Sequence, residues 1–152
     1  MEGCGLLIMK ISILSKSDLF KLVENNELTS NTAVVSFADE EDDFLELPPY
    51  IDVFEVVFYD IRPHCTVKEH YDRLLPEAKD IAEFVKKEYQ KGKDIICQCD
   101  YGISRSAGLA AAIKEWLYKD GISVFADYRY TPNQFVYNKV FNELKLKQGD
   151  NL

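Results

Sequence analysis

Ile95-Ile96-Cys97-Gln98-Cys99-Asp100-Tyr101-Gly102-Ile103-Ser104-Arg105-Ser106-Ala107-Gly108-Leu109-Ala110-Ala111-Ala112 is the stretch whose reading decides the fold. It reads as strand, loop and helix. An apolar run enters, a short segment holding a glycine turns it, and an alanine-rich helical run leaves. N-H groups of the turn and of the helix start then converge on one point with no intrahelical partner. Such a point is an anion site, because the donors and the positive end of the helix dipole face it together. Arg105 adds a planar fork that can hold two oxygens of a phosphate. Cys99 sits at the mouth, and the field that holds an anion also favours a thiolate, hence a nucleophilic sulfur at neutral pH. The loop residues Asp100, Tyr101, Gly102, Ile103, Ser104 and Arg105 are thus the candidate substrate-binding set.

Cys99, five residues, Arg105 and then Ser106 resemble the signature loop of the cysteine-dependent protein tyrosine phosphatases, above all the dual-specificity branch with its His-Cys-x-x-Gly-x-Ser-Arg-Ser loop. Gln98 stands here where that branch has histidine. The resemblance implies that Cys99 attacks phosphorus to form a phosphocysteine. It implies further that Arg105 and the loop amides bind the phosphoryl oxygens, and that Ser106 assists release of the thiolate. The substitution at Gln98 bears on the implied orientation of the cysteine.

The rest of the chain is consistent with one α/β domain. At 152 residues and 47% hydrophobic it suffices for one core, so residues 1–152 are expected to form a single domain. Met9, a second start methionine, marks residues 1–8 as a candidate loosely ordered extension. A net charge of -8 opposes binding to nucleic acid or to an anionic membrane surface. Cys4, Cys65, Cys97 and Cys99, with His64 and His70, show no zinc spacing, and the chemistry calls for no metal and no cofactor. A thiol that must stay reduced fits the cytoplasm better than a secreted setting. The apolar run Leu6 to Leu14 is interrupted by Lys10 and Ser12 and preceded by Glu2, so it reads as a first strand and not as a targeting segment.

Ser17 caps a short amphipathic helix ending at Asn25-Asn26, and Ala33 to Phe37 is a buried strand. Asp39, Glu40, Glu41, Asp42 and Asp43 lack the spacing and glycine of a calcium loop and read as a solvated loop. After Pro48-Pro49, Asp52 to Phe58 is a further strand, and Asp60 follows it directly. Open α/β sheets place ligand-facing residues at strand carboxyl ends, so Asp60 and Cys99 are expected in one crevice. Cleavage of a phosphate ester needs a proton for the leaving oxygen, and Asp60 is the candidate acid. Asp72 is its competitor. Related phosphatases also carry an acid aspartate after the preceding strand, although the interval from Asp60 to Cys99 is longer than usual in the dual-specificity branch.

Thr66-Val67-Lys68-Glu69 is a capping box opening a helical region to about Lys91, with Pro76 restarting or kinking it. Arg105 to Lys119 is a helix ended by Asp120-Gly121, Ser123 opens another turn, and a last helix runs from the Pro132-Asn133 segment to about Lys147. The pattern Arg129-x-x-Pro132-Asn133-x-Phe135 resembles the C-terminal segment of dual-specificity phosphatases. With Val34 to Asp39 and Phe58 to Ile61 it extends the resemblance over nearly the whole chain, closest to small bacterial-type tyrosine phosphatase-like proteins.

The expected fold is therefore tyrosine phosphatase-like: a mostly parallel sheet of four or five strands with helices on both faces. The expected function is phosphomonoester hydrolysis on a phosphorylated protein or peptide, with phosphotyrosine or dual specificity, and with no nucleic acid or membrane partner. Asp100, Tyr101 and Ile103 stand where the resemblance would put lysines in a phosphoinositide phosphatase, and Asp100 repels polyanions. Two other classes share such a loop. One is a phosphoprotein-binding module with weak or no turnover, and the other is a rhodanese-like or arsenate-reducing thiol enzyme.

Overall fold

The computed structural model describes residues 8–61 and 71–146. In chain order these form β1 (Ile11–Ser15), α1 (Lys16–Glu24), β2 (Thr32–Ala38), a 3-10 turn (Glu41–Asp43), β3 (Asp52–Val57), α2 (Ala78–Gln90), β4 (Asp94–Cys99), α3 (Arg105–Tyr118), α4 (Ile122–Phe125) and α5 (Gln134–Leu144). The four strands make one sheet in the order β1-β4-β2-β3. Every pairing is parallel.

β4 lies between β1 and β2, and Ile95 to Cys99 are all buried. A strand covered on both faces has no polar side, which is why its sequence reads as a near-continuous apolar run. Alternation then sorts its side chains. Ile95, Cys97 and Cys99 join Val35 and Phe37 of β2 against α2, α3 and α5, with Ile81, Val85, Leu109, Ile113, Phe135 and Val136 buried between them. On the other face Ile96 and Val34 pack with Leu19 of α1, Leu28 and Ile51. Each fully buried Ile, Leu or Phe contributes about 1.5–3 kcal/mol of transfer free energy. The larger cluster therefore anchors α3 firmly from its first turn.

Helices on opposite faces create the crevice. β1 leads into α1 on one face, whereas β4 leads into α3 on the other, and these strands are neighbours. Their connections diverge at the carboxyl edge, leaving an opening where the loop after β4 begins.

Several boundaries differ from expectation for local reasons. β1 begins at Ile11, and residues 1–7 lie outside the described residues. Ser15, not Ser17, caps α1: it is the last extended residue, and its Oγ accepts from Asp18 N at 3.0 Å. The capping box at 66–69, His64, His70, Cys4, Cys65 and Lys147 also lie outside the described residues. α2 starts after Pro76 and after Leu75, whose φ of 52° is left-handed and cannot continue a helix from upstream. α3 ends one residue early, because Lys119 itself takes the left-handed capping conformation. Ser123 lies inside α4, and α5 opens on Asn133 as its cap. Among the described residues no helix is long and apolar enough to cross a membrane.

Candidate active site

The loop from Cys99 to Arg105 is shaped by Gly102. Its φ is 68°, and a Cβ there would lie 2.6 Å from Ser15 N and 2.8 Å from Leu14 C. Both the conformation and the close passage against β1 require glycine. Three outward carbonyls fasten the loop: Asp100 O accepts from Lys16 N at 3.1 Å, Ile103 O from Thr131 N at 3.0 Å, and Ser104 O from Asn133 N at 2.9 Å. The N-H groups of residues 101–104, by contrast, donate to no described residue. An oxyanion is the acceptor such a set of amides suits.

Cys99 is a free thiol, 2% exposed, at the end of β4. Its Sγ lies 3.1 Å from Ser106 Oγ, and Ser106 N donates to it at 3.5 Å. Cys97, two residues earlier, is fully enclosed, and burial, with a smaller contribution from Cys99, pushes its thiol far above the ordinary range. Of the two, Cys99 lines the pocket described below and Cys97 does not.

Arg105, the first residue of α3, is buried. Nη1 donates to Asp39 Oδ1 at 2.8 Å and to Phe58 O at 2.5 Å, while Nη2 lies 3.7 Å from Asp100 Oδ2. Nε is buried and has no acceptor among the described residues. One edge of the guanidinium is thus clamped by protein, and the adjacent edge keeps the donors that a phosphoryl group would satisfy.

Asp60 stands across the opening. Its Oδ1 accepts from Ser104 Oγ at 2.5 Å and from Asn133 Nδ2 at 2.8 Å. Asp60, Cys99, Tyr101, Ile103, Ser104 and Arg105 line one open pocket of about 180 Å³. Ser106 lies beneath Cys99 with no exposure, and Asp100 lies beside the guanidinium. Asp72 is exposed and does not line this pocket.

Asp39 belongs to an acidic run whose composition predicts a solvated loop, yet it holds Arg105. Its position carried the signal: it follows the carboxyl end of β2 as Asp60 follows that of β3. The Phe58 carbonyl has no side-chain signature at all. Asn133 stood in a recognised pattern without an assigned role.

No protein-family model matches the chain, and no curated protein matches its sequence. Solved structures do match. The structure of PTPMT1 in complex with PI(5)P superposes with a TM-score of 0.56 at 13% identity, covering 93% of this chain and 94% of that one. DUSP15 gives 0.56 at 15% identity over 90% and 83%. The human tyrosine phosphatase-like serine/threonine/tyrosine-interacting protein gives 0.52 at 18% identity over 84% and 83%.

Proposed function

We propose that this chain, whose fold is that of the cysteine-dependent tyrosine and dual-specificity phosphatases, hydrolyses phosphomonoesters through a phosphocysteine, with phosphotyrosine in a protein or peptide as substrate. The observation that carries the reading is Arg105: a buried guanidinium, clamped along one edge and with Nε unpartnered among the described residues, lining one pocket with the sulfur of Cys99. A phosphoryl group held by that edge and by the free amides of residues 101–104 presents phosphorus to Sγ.

The Cys99 thiolate attacks phosphorus, forming P–S as the ester P–O bond breaks. The bonding pair leaves on the ester oxygen, which takes a proton from Asp60, and the alcohol departs. Water then attacks the phosphocysteine and gives its proton to Asp60. The P–S bond breaks with its electron pair returning to sulfur, where the Ser106 hydroxyl 3.1 Å away stabilises the emerging thiolate. Inorganic phosphate is the second product. No cofactor enters any step.

Tyr101 and Ile103, 80% and 43% exposed on the rim, offer apolar surface to an aromatic leaving group. The same positions lack lysine, and Asp100 approaches the guanidinium, which disfavours a polyanionic substrate. A thiol that acts only when reduced suits the cytoplasm.

Steady-state turnover of p-nitrophenyl phosphate by the wild type and Cys99→Ser tests the proposal. The wild type is expected to turn over, and the serine variant to lose activity while still binding vanadate, because the hydroxyl keeps the shape but not the nucleophilicity. Wild-type kcat in Cys99→Ser overturns the mechanism. Vanadate binding without turnover in the wild type replaces it with a phosphoprotein-binding module, and thiosulfate or arsenate turnover in its place indicates a rhodanese-like or arsenate-reducing enzyme.

A further inference from the structure

Asn133 uses every hydrogen-bonding group of its side chain, and it joins four parts of the molecule. Its Oδ1 accepts from Val136 N at 3.0 Å and caps α5. The two Nδ2 hydrogens go to Asp60 Oδ1 at 2.8 Å and to Ile61 O at 2.9 Å. Its backbone N donates to Ser104 O in the phosphate loop, and its backbone O would lie 2.5 Å from a Cβ at Gly108 in α3. The residue is 4% exposed. An amide so placed has one rotamer and one flip that satisfy it, since reversal would set Nδ2 against the Val136 N-H and Oδ1 against the Asp60 carboxylate.

Asp60 is exposed on the pocket rim, and the strand before it ends at Val57. Left alone, a carboxylate on such a segment samples several rotamers. Here Oδ1 is held by two donors, the Asn133 amide and the Ser104 hydroxyl, and Oδ2 has no partner among the described residues. The two carboxyl oxygens are thereby made unequal: Oδ1 is occupied as an acceptor, and the proton to be transferred belongs on Oδ2. The next carbonyl, Ile61 O, is pinned by the same amide, so the backbone that carries Asp60 is fixed with it.

We propose that Asn133 is the positioning residue of the proton-transfer step, latching Asp60 to the phosphate loop and presenting Oδ2 to the leaving oxygen. The inference rests on Asp60 being the general acid, as proposed above. Catalytic geometry loses about 100-fold in rate for a displacement of about 1 Å. The contribution of Asn133 is bounded by that of the acid itself, about 100-fold to 10,000-fold.

The test uses Asn133→Ser, which keeps an oxygen able to cap α5 and removes both Nδ2 donors, with Asn133→Asp as a second variant that retains the cap and the shape. Unfolding midpoints are recorded for each. Turnover is measured on phenyl phosphate, whose leaving group needs protonation, and on p-nitrophenyl phosphate, whose leaving group needs less. Both variants are expected to lose roughly 10-fold to 100-fold in kcat on phenyl phosphate and clearly less on the activated ester. In an Asp60→Asn background the same substitutions are expected to cost nothing further, because the residue acts only through the acid. Equal losses on the two esters, or a full additional loss in the Asp60→Asn background, overturn the inference and leave Asn133 a helix cap. If Asp60→Asn itself shows no dependence on the leaving group, the failure lies with the assignment of the acid and not with the latch.

Discussion

Arg105 and Asp39 meet through Nη1 and Oδ1 at 2.8 Å, joining the first residue of α3 to the residue just after β2. The Asp39 side chain is 41% exposed and that of Arg105 only 5%, so the pair is a solvent-facing carboxylate holding a buried cation. Removing the carboxylate leaves Phe58 O as the acceptor of Nη1 among the described residues.

Asp39→Asn is expected to lower kcat/KM for an aryl phosphate by about tenfold. A hydrogen bond to a charged group is worth about 1.5–3 kcal/mol, and exposure of Asp39 moves the value toward the lower end. Steady-state kinetics at fixed ionic strength check this. A rise in kcat/KM would mean that the carboxylate competes with substrate for the guanidinium more than it orients it.

The case of Asp39 shows where sequence reading stops. Strand β4, the glycine turn and the α3 start were legible because Gly102 and the apolar run of Ile95 to Cys97 are set by local chain geometry, which spacing records. The parallel sheet was legible in the compact apolar run Ala33 to Phe37, since a strand covered on both faces has no polar side. Asp39 was not legible as an Arg105 partner because their pairing is made across the sheet, and within a run of five acidic residues no local feature distinguishes one. Asn133 was recognised by pattern, yet its bonds to Asp60 and Ile61 depend on how α5 meets the loop after β3, which no single stretch encodes.

Cys97 and Cys99 are expected to separate by reactivity. Cys97 is fully buried and its thiol is pushed up by burial, so it stays protonated and inert in the folded protein. Cys99 lines the pocket between Ser106 and the loop. Iodoacetamide at pH 7, followed by peptide-resolved mass spectrometry, is expected to modify Cys99 in step with loss of activity, with phosphate protecting it. Equal labelling rates at the two positions would contradict the assignment.

Gly102→Ala is expected to damage both stability and turnover. A left-handed φ costs an alanine about 1–2 kcal/mol, and the added Cβ meets the Leu14-Ser15 backbone, which has no flexible end to yield. A loss of about 2 kcal/mol lowers Tm by roughly 4–8 °C. Displacement of the loop by about 1 Å should also cost about 100-fold in kcat/KM. Differential scanning calorimetry and kinetics on one preparation measure both, and wild-type values in either would show that the loop tolerates a side chain.

Glu88 carries a pH dependence. It is 1% exposed, Oε2 pairs with Lys91 Nζ at 3.1 Å, and Oε1 has no hydrogen-bond partner among the described residues. Burial first, and Asp52 second, raise its carboxyl above the usual 4.5. A group whose folded pKa lies above its unfolded one contributes stability below the unfolded value, and that contribution is lost as pH rises through the folded value. Glu88→Gln removes this loss. Urea unfolding should find the glutamine variant gaining on the wild type between pH 4 and pH 8, and a constant difference across that range would contradict the burial argument.

Ser36 and Gln98 are register partners on β2 and β4, both buried, and the Ser36 hydroxyl donates to Gln98 Oε1. Alternation turns Gln98 to the α1 face, away from Cys99 and the pocket. Its work is therefore in holding the end of β4 and not in contacting substrate. Removing one partner leaves the other buried and unsatisfied, at a cost of about 1–3 kcal/mol, whereas replacing both with apolar groups can be nearly neutral. Ser36→Ala and Gln98→Leu are each expected to lose stability in that range, and the double variant to lose less than the sum. Gln98→His, which restores an acceptor for the serine, is expected to retain most of the stability that Gln98→Leu loses. Urea denaturation of the four proteins gives the coupling directly, since independent sites add within about 0.3–0.5 kcal/mol. Additive losses would show that the two side chains do not share a hydrogen bond in solution. Loss of kcat in Gln98→His with unchanged stability would mean instead that the residue orients Cys99 through the backbone between them.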